Sequence, residues 1–113
     1  MIELTVGELC EALGAKTAAG AGGLCREVRG CYIGDLLSLA MSRVGEGDAW
    51  ITIQTNINVV AVSALGDAAC VIMCDGKSPD ETCAKKADEE EIPILTSPDA
   101  AYTLACKICA LGI

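Results

Sequence analysis

The sequence contains no histidine and no phenylalanine among its 113 residues. Without histidine there is no Ser-His-Asp or Cys-His catalysis, no histidine-ligated zinc and no imidazole pH switch. Aromatic residues make up only 3% of the chain, so the core must be built from aliphatic side chains, methionine and cysteine. These absences remove most catalytic classes and favour a binding role.

Basic residues are also scarce, with 8 against 16 acidic ones and a net charge of −8. This balance argues against nucleic acid and against an anionic membrane surface as partners. The most apolar stretch, 57–74, is interrupted by Asn58 and Asp67 and is too polar to span a bilayer. Residues 1–15 carry three glutamates rather than a basic start, so we expect no secretory signal. The sequence therefore predicts a cytoplasmic protein with reduced thiols.

Cysteine, by contrast, occurs 8 times. We expect most of these thiols, including Cys10, Cys70 and Cys109, to fill core positions as small apolar groups. Only Cys106 and Cys109 have the C-x-x-C spacing typical of zinc and iron–sulfur sites. They fall at the end of a predicted helix, where the helix dipole opposes a thiolate, so a dithiol redox site is not expected. A metal or iron–sulfur site using Cys106, Cys109 and Cys74 remains the alternative to having no cofactor.

Strands and helices are predicted to alternate along the chain. A Thr5–Glu8 capping box opens the first helix, which Gly14 ends. Strands are expected at 16–19, 28–33, 49–54, 69–74 and 92–95. Helices are expected at 36–44, at 56–65 capped by Thr55 or Asn56, from a Ser78–Glu81 capping box to about 90, and from Ser97-Pro98 onward. Because the strands are unbroken apolar runs, the prediction is one α/β domain over 1–113, a three-layer, open, mainly parallel sheet with helices on both faces.

The predicted helix at 56–65 has almost no polar face. A helix that is apolar all round must be buried on both sides. In so small a domain, we expect the second side to contact another subunit, which predicts a homodimer through the helix from Asn56 to Leu65. The alternative is a helix wedged between the sheet and its neighbouring helices.

Polar residues follow several predicted strands at their carboxyl ends, where open α/β sheets bind ligands. The groups are Gly34-Asp35, the segment 54–58, Cys74-Asp75-Gly76 and Thr96-Ser97. The predicted ligand-binding residues are Asp35, Gln54, Thr55, Asn56 and Asn58. The alternative is that Asp35, Thr55 and Ser97 simply cap helices. The glycine-rich loop 20–23 lacks the spacing of a phosphate-binding loop and is expected to be a turn.

Three segments, 5–14, 23–38 and 47–62, resemble the DRTGG domain family. The eponymous motif is only partly kept around Cys25-Arg26 to Gly30, with Cys25 where an acidic residue is expected. The family is a small α/β module, found alone, beside CBS domains in regulated pyrophosphatases and ahead of the catalytic part of certain phosphotransacetylases. It is similar to the N-terminal domain of HPr kinase/phosphorylase.

The resemblance implies a dimeric, non-catalytic module that regulates or senses a small molecule, such as a nucleotide or phosphate, or a protein partner. Some stand-alone members are expected near iron-hydrogenase genes, which keeps a metal accessory role in redox metabolism as the alternative. An enzyme using Asp35 as a carboxylate base is a third hypothesis.

Overall fold

The computed structural model describes residues 3–113. Its strands are β1 (Leu4–Thr5), β2 (Lys16–Ala19), β3 (Glu27–Val28), β4 (Gly30–Ile33), β5 (Asp48–Thr52), β6 (Cys70–Met73) and β7 (Ile94–Thr96). Its helices are α1 (Val6–Leu13), α2 (Leu37–Arg43), α3 (Asn58–Gly66), α4 (Glu81–Glu90) and α5 (Ala101–Ala110).

Five strands form the main sheet in the order β2-β7-β6-β5-β4. The strands β4, β5, β6 and β7 are parallel, and only the edge strand β2 runs antiparallel, to β7. The single strand predicted at 28–33 is wrong, because the chain divides at Arg29. Val28 pairs with Leu4 in a separate two-stranded sheet, whereas Gly30 begins the edge strand β4 of the main sheet.

The helices cover both faces of the sheet, as predicted. Successive residues of β5 and β6 point to opposite faces, so each central strand contributes to two cores. Ile51 and Ile72 belong to the core under α1 and α5, whereas Trp50 and Val71 belong to the core under α2, α3 and α4. The mainly parallel, three-layer α/β architecture is confirmed.

Helix starts followed the sequence signals in some places and not in others. The Thr5–Glu8 capping box and the left-handed Gly14 cap of α1 are confirmed. The Ser78–Glu81 box is wrong: Asp80 is the N-cap of α4, and its carboxylate accepts a hydrogen bond from the Cys83 amide at 2.8 Å. The helix α5 begins at Ala101 rather than at Pro98, because Ser97 closes a turn by accepting from the Asp99 amide.

The glycine-rich segment 20–23 is a turn, as predicted; it contains one turn of 3-10 helix, Ala21–Gly23, and contacts the end of α4. The Gly20 amide donates to the Asp88 carboxylate at 2.7 Å, and a Cβ at Gly20 would clash with the Ile92 carbonyl. Asp88, near the end of α4, therefore holds this turn in place.

Arg26 connects the C-terminal caps of two helices. Its Nε donates to the Glu91 carbonyl at 3.1 Å, and its guanidinium lies 3.4 Å from the Asp67 carboxylate. Asp67 and Glu91 both have positive φ, at 57° and 53°, and end α3 and α4. The arginine that belongs to the partly kept motif thus ties β3 to two helix ends. No helix in residues 3–113 has the length and apolarity needed to cross a membrane.

Candidate functional site

The carboxyl edge of β4 and β5 holds a hydrogen-bonded polar loop. The Asp35 carboxylate accepts bonds from the Thr52 hydroxyl and from the Ile53 amide, both at 2.9 Å and both to Oδ1. Oδ2 makes no hydrogen bond within the part of the chain that the structure describes. One carboxylate oxygen of this exposed residue therefore holds the loop together, and the other is not used by it.

Two buried side chains fix the position of Asp35. The indole of Trp50, fully buried beneath α2 and α3, donates to the Gly34 carbonyl at 2.9 Å. Thr52 is also buried, and its hydroxyl bonds both Asp35 and the Gln54 amide. Sequence reasoning missed Thr52. A hydroxyl at the last position of an apolar strand, directly before a polar segment, is the signal that could have found it.

The other predicted site residues continue this loop. The side-chain nitrogen Nε2 of Gln54 donates to the Asp35 backbone carbonyl at 2.8 Å, and the side-chain Nδ2 of Asn56 donates to Gln54 Oε1 at 3.3 Å. The Asn58 amide in turn donates to Asn56 Oδ1 at 2.9 Å. Thr55 takes part through its backbone carbonyl, which accepts from the Asp80 amide at 3.0 Å. The structure brings all five predicted residues into one connected segment, which we call the Asp35 loop (residues 35 and 52–58).

The alternative that Asp35, Thr55 and Ser97 are helix caps is wrong. The N-cap positions of α2, α3 and α5 are Leu36, Ile57 and Ala100, and none makes a side-chain capping bond. Asp35, Thr55 and Ser97 each lie one to three residues before those positions. Asn56 does cap the third helix, as predicted for Thr55 or Asn56: its Oδ1 accepts from the amide of Asn58, the first residue of α3.

A second polar region lies at the same edge of the sheet, beyond β6. Gly76, Thr96 and Ser97 line a cavity of about 460 Å³ together with Lys16 and Lys77. Cys74 lies between the two regions: its thiol contacts the Thr52 carbonyl at 3.7 Å and the Asp75 carboxylate at 3.6 Å. Neither lysine was among the predicted ligand-binding residues.

The eight thiols are all free, four of them buried and four exposed. The prediction that most fill the core is therefore only half right, and Cys109, expected in the core, is exposed. Burial and Asp48 raise the pKa of Cys31 to about 11, and burial and Asp80 raise the pKa of Cys83 to about 11. Burial also raises the pKa values of Cys70 and Cys74. A raised pKa favours the thiol over the thiolate, and the thiol is the weaker nucleophile.

In the part of the chain that the structure describes, the exposed thiols are not grouped into a metal site either. Cys106 and Cys109 lie on the exposed side of α5, and Cys74 is buried at the end of β6. Across residues 3–113, no three cysteine, aspartate or glutamate side chains are grouped so that they could hold a metal ion. A metal or iron–sulfur site that uses Cys106, Cys109 and Cys74 stays a prediction.

The helix α3 buries only one side. Val59, Val60 and Val62 are in the core, whereas Ile57 and Leu65 are exposed. Together with α2, the helix presents an apolar surface that we call the α2–α3 face: Leu36, Leu39, Met41, Ile57 and Leu65. The two helices enclose an apolar groove of about 320 Å³ between Met41 and Leu65.

Comparisons with known proteins agree with this architecture. A model of the DRTGG domain family matches residues 8–111. Among proteins with curated descriptions, none matches. The fold is similar to a crystal structure of the CBS and DRTGG domains of the regulatory region of Clostridium perfringens pyrophosphatase complexed with its activator, diadenosine tetraphosphate. That similarity has a TM-score of 0.75 at 15% sequence identity and covers 95% of this chain but only 46% of the other, so this chain spans less than half of that structure. The family match, which extends over nearly the whole sequence, shows that the chain belongs to the DRTGG domain family.

Proposed function

We propose that this DRTGG domain is a non-catalytic, cytoplasmic regulatory module that senses a small molecule at the Asp35 loop and acts as a homodimer. The observation that supports the ligand site most directly is the connected Asp35 loop, held at the carboxyl edge of the sheet by buried Trp50 and Thr52. A loop that is already ordered loses little conformational entropy when a ligand binds.

The chemistry of the loop favours a ligand rich in hydroxyl and amino groups. Its one ionised side chain is Asp35, and an anionic group placed beside that carboxylate would be repelled. Carboxylates in α/β folds commonly accept hydrogen bonds from ribose hydroxyls. The nucleoside part of a nucleotide therefore fits the loop, and the similar pyrophosphatase structure contains a nucleotide activator.

Titration of ¹⁵N-labelled protein with adenosine and AMP tests the ligand site. We expect saturable shifts of the Ile53, Gln54 and Asn58 amide signals. The side chain of Asn58 is exposed and makes no hydrogen bond within the described residues, so Asn58→Ala should weaken binding without unfolding the loop. The control is Ser42→Ala, which replaces another exposed polar side chain, on α2 and outside the loop, and should leave binding unchanged. Absence of saturable shifts with either compound would remove the Asp35 loop as a nucleoside site.

The homodimer is proposed from the α2–α3 face. Five of the eight large apolar side chains exposed in the described chain lie on it. The helix α3 has no charged residue, and α2 has only Arg43. Two copies of a chain with a net charge of −8 repel each other over most of their surfaces. An uncharged apolar face is the surface on which burial can outweigh that repulsion, and the same patch on two copies satisfies twofold symmetry.

Light scattering at micromolar concentration tests the dimer. We expect a mass of about twice the 11.6 kDa of one chain. Leu65→Glu should give a monomer, because Leu65 is 72% exposed and its replacement leaves the core intact. Tyr102→Glu is the matched control: Tyr102 is 80% exposed on α5, on the opposite face of the sheet, and its replacement should leave the dimer unchanged. A monomeric wild-type protein would overturn the proposal.

The competing function is a metal or iron–sulfur accessory protein. The observation in its favour is that Cys106 and Cys109 are exposed and one helical turn apart on α5. Anaerobic reconstitution with iron and sulfide, followed by visible absorption, separates the two functions. A cluster lost in Cys106→Ser would support the accessory role, whereas a colourless product without bound iron would exclude it.

A further inference from the structure

The cavity beside Lys16 and Lys77 is separate from the Asp35 loop. It lies at the carboxyl ends of β6 and β7, where the start of β2 reaches the same edge because Lys16 pairs with Thr96. Its volume of about 460 Å³ exceeds that of a single phosphate group. Ser78 and Ser97 complete the polar lining. Open α/β sheets bind ligands at this edge.

The charge of the cavity is opposite to that of the protein. Arg26, Arg29, Lys86 and Lys107 all form ion pairs with carboxylates. Lys16 and Lys77 form none within residues 3–113, although acidic residues outnumber basic ones two to one. Lysine side chains of like charge that line one cavity repel each other unless an anion offsets their charge.

Nearby carboxylates do not supply that anion. No acidic residue lines the cavity. Asp75, which precedes Gly76, accepts from the Cys74 thiol, and Asp99 pairs with Lys107 at 2.9 Å. The positive charge of the cavity is therefore left for a ligand.

The backbone around the cavity is held by hydrogen bonds rather than left loose. Asp75 and Gly76 both have positive φ, 56° and 74°, and the Lys77 amide closes the turn by donating to the Cys74 carbonyl at 3.1 Å. The Gly76 amide donates to the Ser97 carbonyl at 3.0 Å, which joins the turn to the end of β7. A Cβ at Gly76 would meet no atom within 4 Å, so this side of the turn is open. The turn thus fixes the backbone from which Lys77 extends.

We propose that this cavity binds a phosphoryl or pyrophosphoryl group of a small metabolite. Lys16 and Lys77 neutralise its charge, and the hydroxyls of Ser78 and Thr96 donate to its oxygens. Charge-assisted hydrogen bonds of this kind are among the stronger ones in proteins. The regulatory meaning of the site rests on the proposed function, but the binding itself depends neither on the Asp35 loop nor on the dimer.

The test is a titration of ¹⁵N-labelled protein with inorganic pyrophosphate at constant ionic strength. We expect saturable shifts of the Lys16, Gly76, Ser78 and Thr96 amides. Lys16→Gln and Lys77→Gln should each weaken binding about tenfold, since each removes one charge-assisted contact. Lys85→Gln is the matched control, because Lys85 has no ion pair in the described chain and lies on α4, outside the cavity. It should leave the affinity unchanged.

Two results would overturn the site: no saturable shift, or equal weakening in the control, which would indicate general electrostatic attraction. A parallel titration with adenosine separates this inference from the proposed function. If adenosine shifts the Asp35 loop while pyrophosphate shifts nothing, only the anion site fails. If pyrophosphate binds and adenosine does not, the Asp35 loop fails and the anion site stands. A parallel titration with AMP shows whether the cavity binds a free inorganic anion or the phosphoryl group of a metabolite.

Discussion

At the residue scale, surroundings rather than identity decide what the thiols do. Cys31 is exposed, yet burial of its sulfur and the neighbouring Asp48 raise its pKa to about 11. Cys25, Cys106 and Cys109 are also exposed, and the remaining four are buried. The sequence assigned Cys10, Cys70 and Cys109 to the core and singled out the spacing of Cys106 and Cys109, but it did not indicate the raised pKa of Cys31.

Thiol reactivity at pH 8 tests this difference. Ellman's reagent should modify Cys25, Cys106 and Cys109 rapidly in the folded protein. Cys31 should react far more slowly, because a pKa near 11 leaves only about one thiol in a thousand ionised at this pH. The other four should react only after unfolding. Mass spectrometry of quenched samples identifies the sites, and modification of Cys31 as fast as that of Cys25 would contradict the prediction.

At the element scale, the start of α4 shows where local sequence signals become ambiguous. Ser78 and Asp80 are both good N-cap residues, but only Ser78 is followed three residues later by a capping-box glutamate, Glu81. The structure uses Asp80, whose carboxylate bonds the Cys83 amide. Ser78 is left free to line the cavity at the end of the sheet.

Two alanine substitutions separate these possibilities. Asp80→Ala should lower the free energy of unfolding by about 1 kcal/mol, since it removes the capping bond of α4. Ser78→Ala should change the free energy of unfolding by only a few tenths of a kcal/mol, as expected for an exposed side chain that makes no capping bond. Urea unfolding followed by circular dichroism measures both. A larger loss for Ser78→Ala than for Asp80→Ala would favour the capping box expected from the sequence.

At the scale of the whole molecule, burial of thiols in the two cores makes the free energy of unfolding depend on whether those thiols are protonated. Cys83 lies on the buried face of α4, and its pKa is raised to about 11 from an ordinary value of 9.0. The unfolded chain releases this proton at lower pH than the folded chain. The stability linked to Cys83 is therefore complete below pH 9 and is lost as the pH rises toward 11.

Unfolding measurements at pH 8 and pH 10 test this linkage. Between pH 8 and pH 10, the free energy of unfolding of the wild-type protein should fall by about 1 kcal/mol because of Cys83 alone, given the direction and size of its pKa shift. Cys83→Ala should be less stable at both values, because it leaves a small cavity, but should lose less on going to pH 10. An identical pH dependence in the variant and the wild type would contradict the assignment.

The sequence by itself determined the α/β class, the parallel strands and the buried face of α1. These follow from apolar periodicity, β-branched runs and one unambiguous capping box, all of which act over a few neighbouring residues. It also placed polar residues at strand ends, because the carboxyl ends of parallel strands meet at one edge.

Only the tertiary structure decided which of those residues come together. The division of 28–33 at Arg29 depends on pairing with Leu4, far away in sequence. The orientation of Asp35 depends on Thr52, and the cavity at Lys16 and Lys77 depends on β2 pairing with β7. Contacts between distant segments, and the burial that shifts thiol pKa values, arise only when the chain has closed on itself. No local pattern records them.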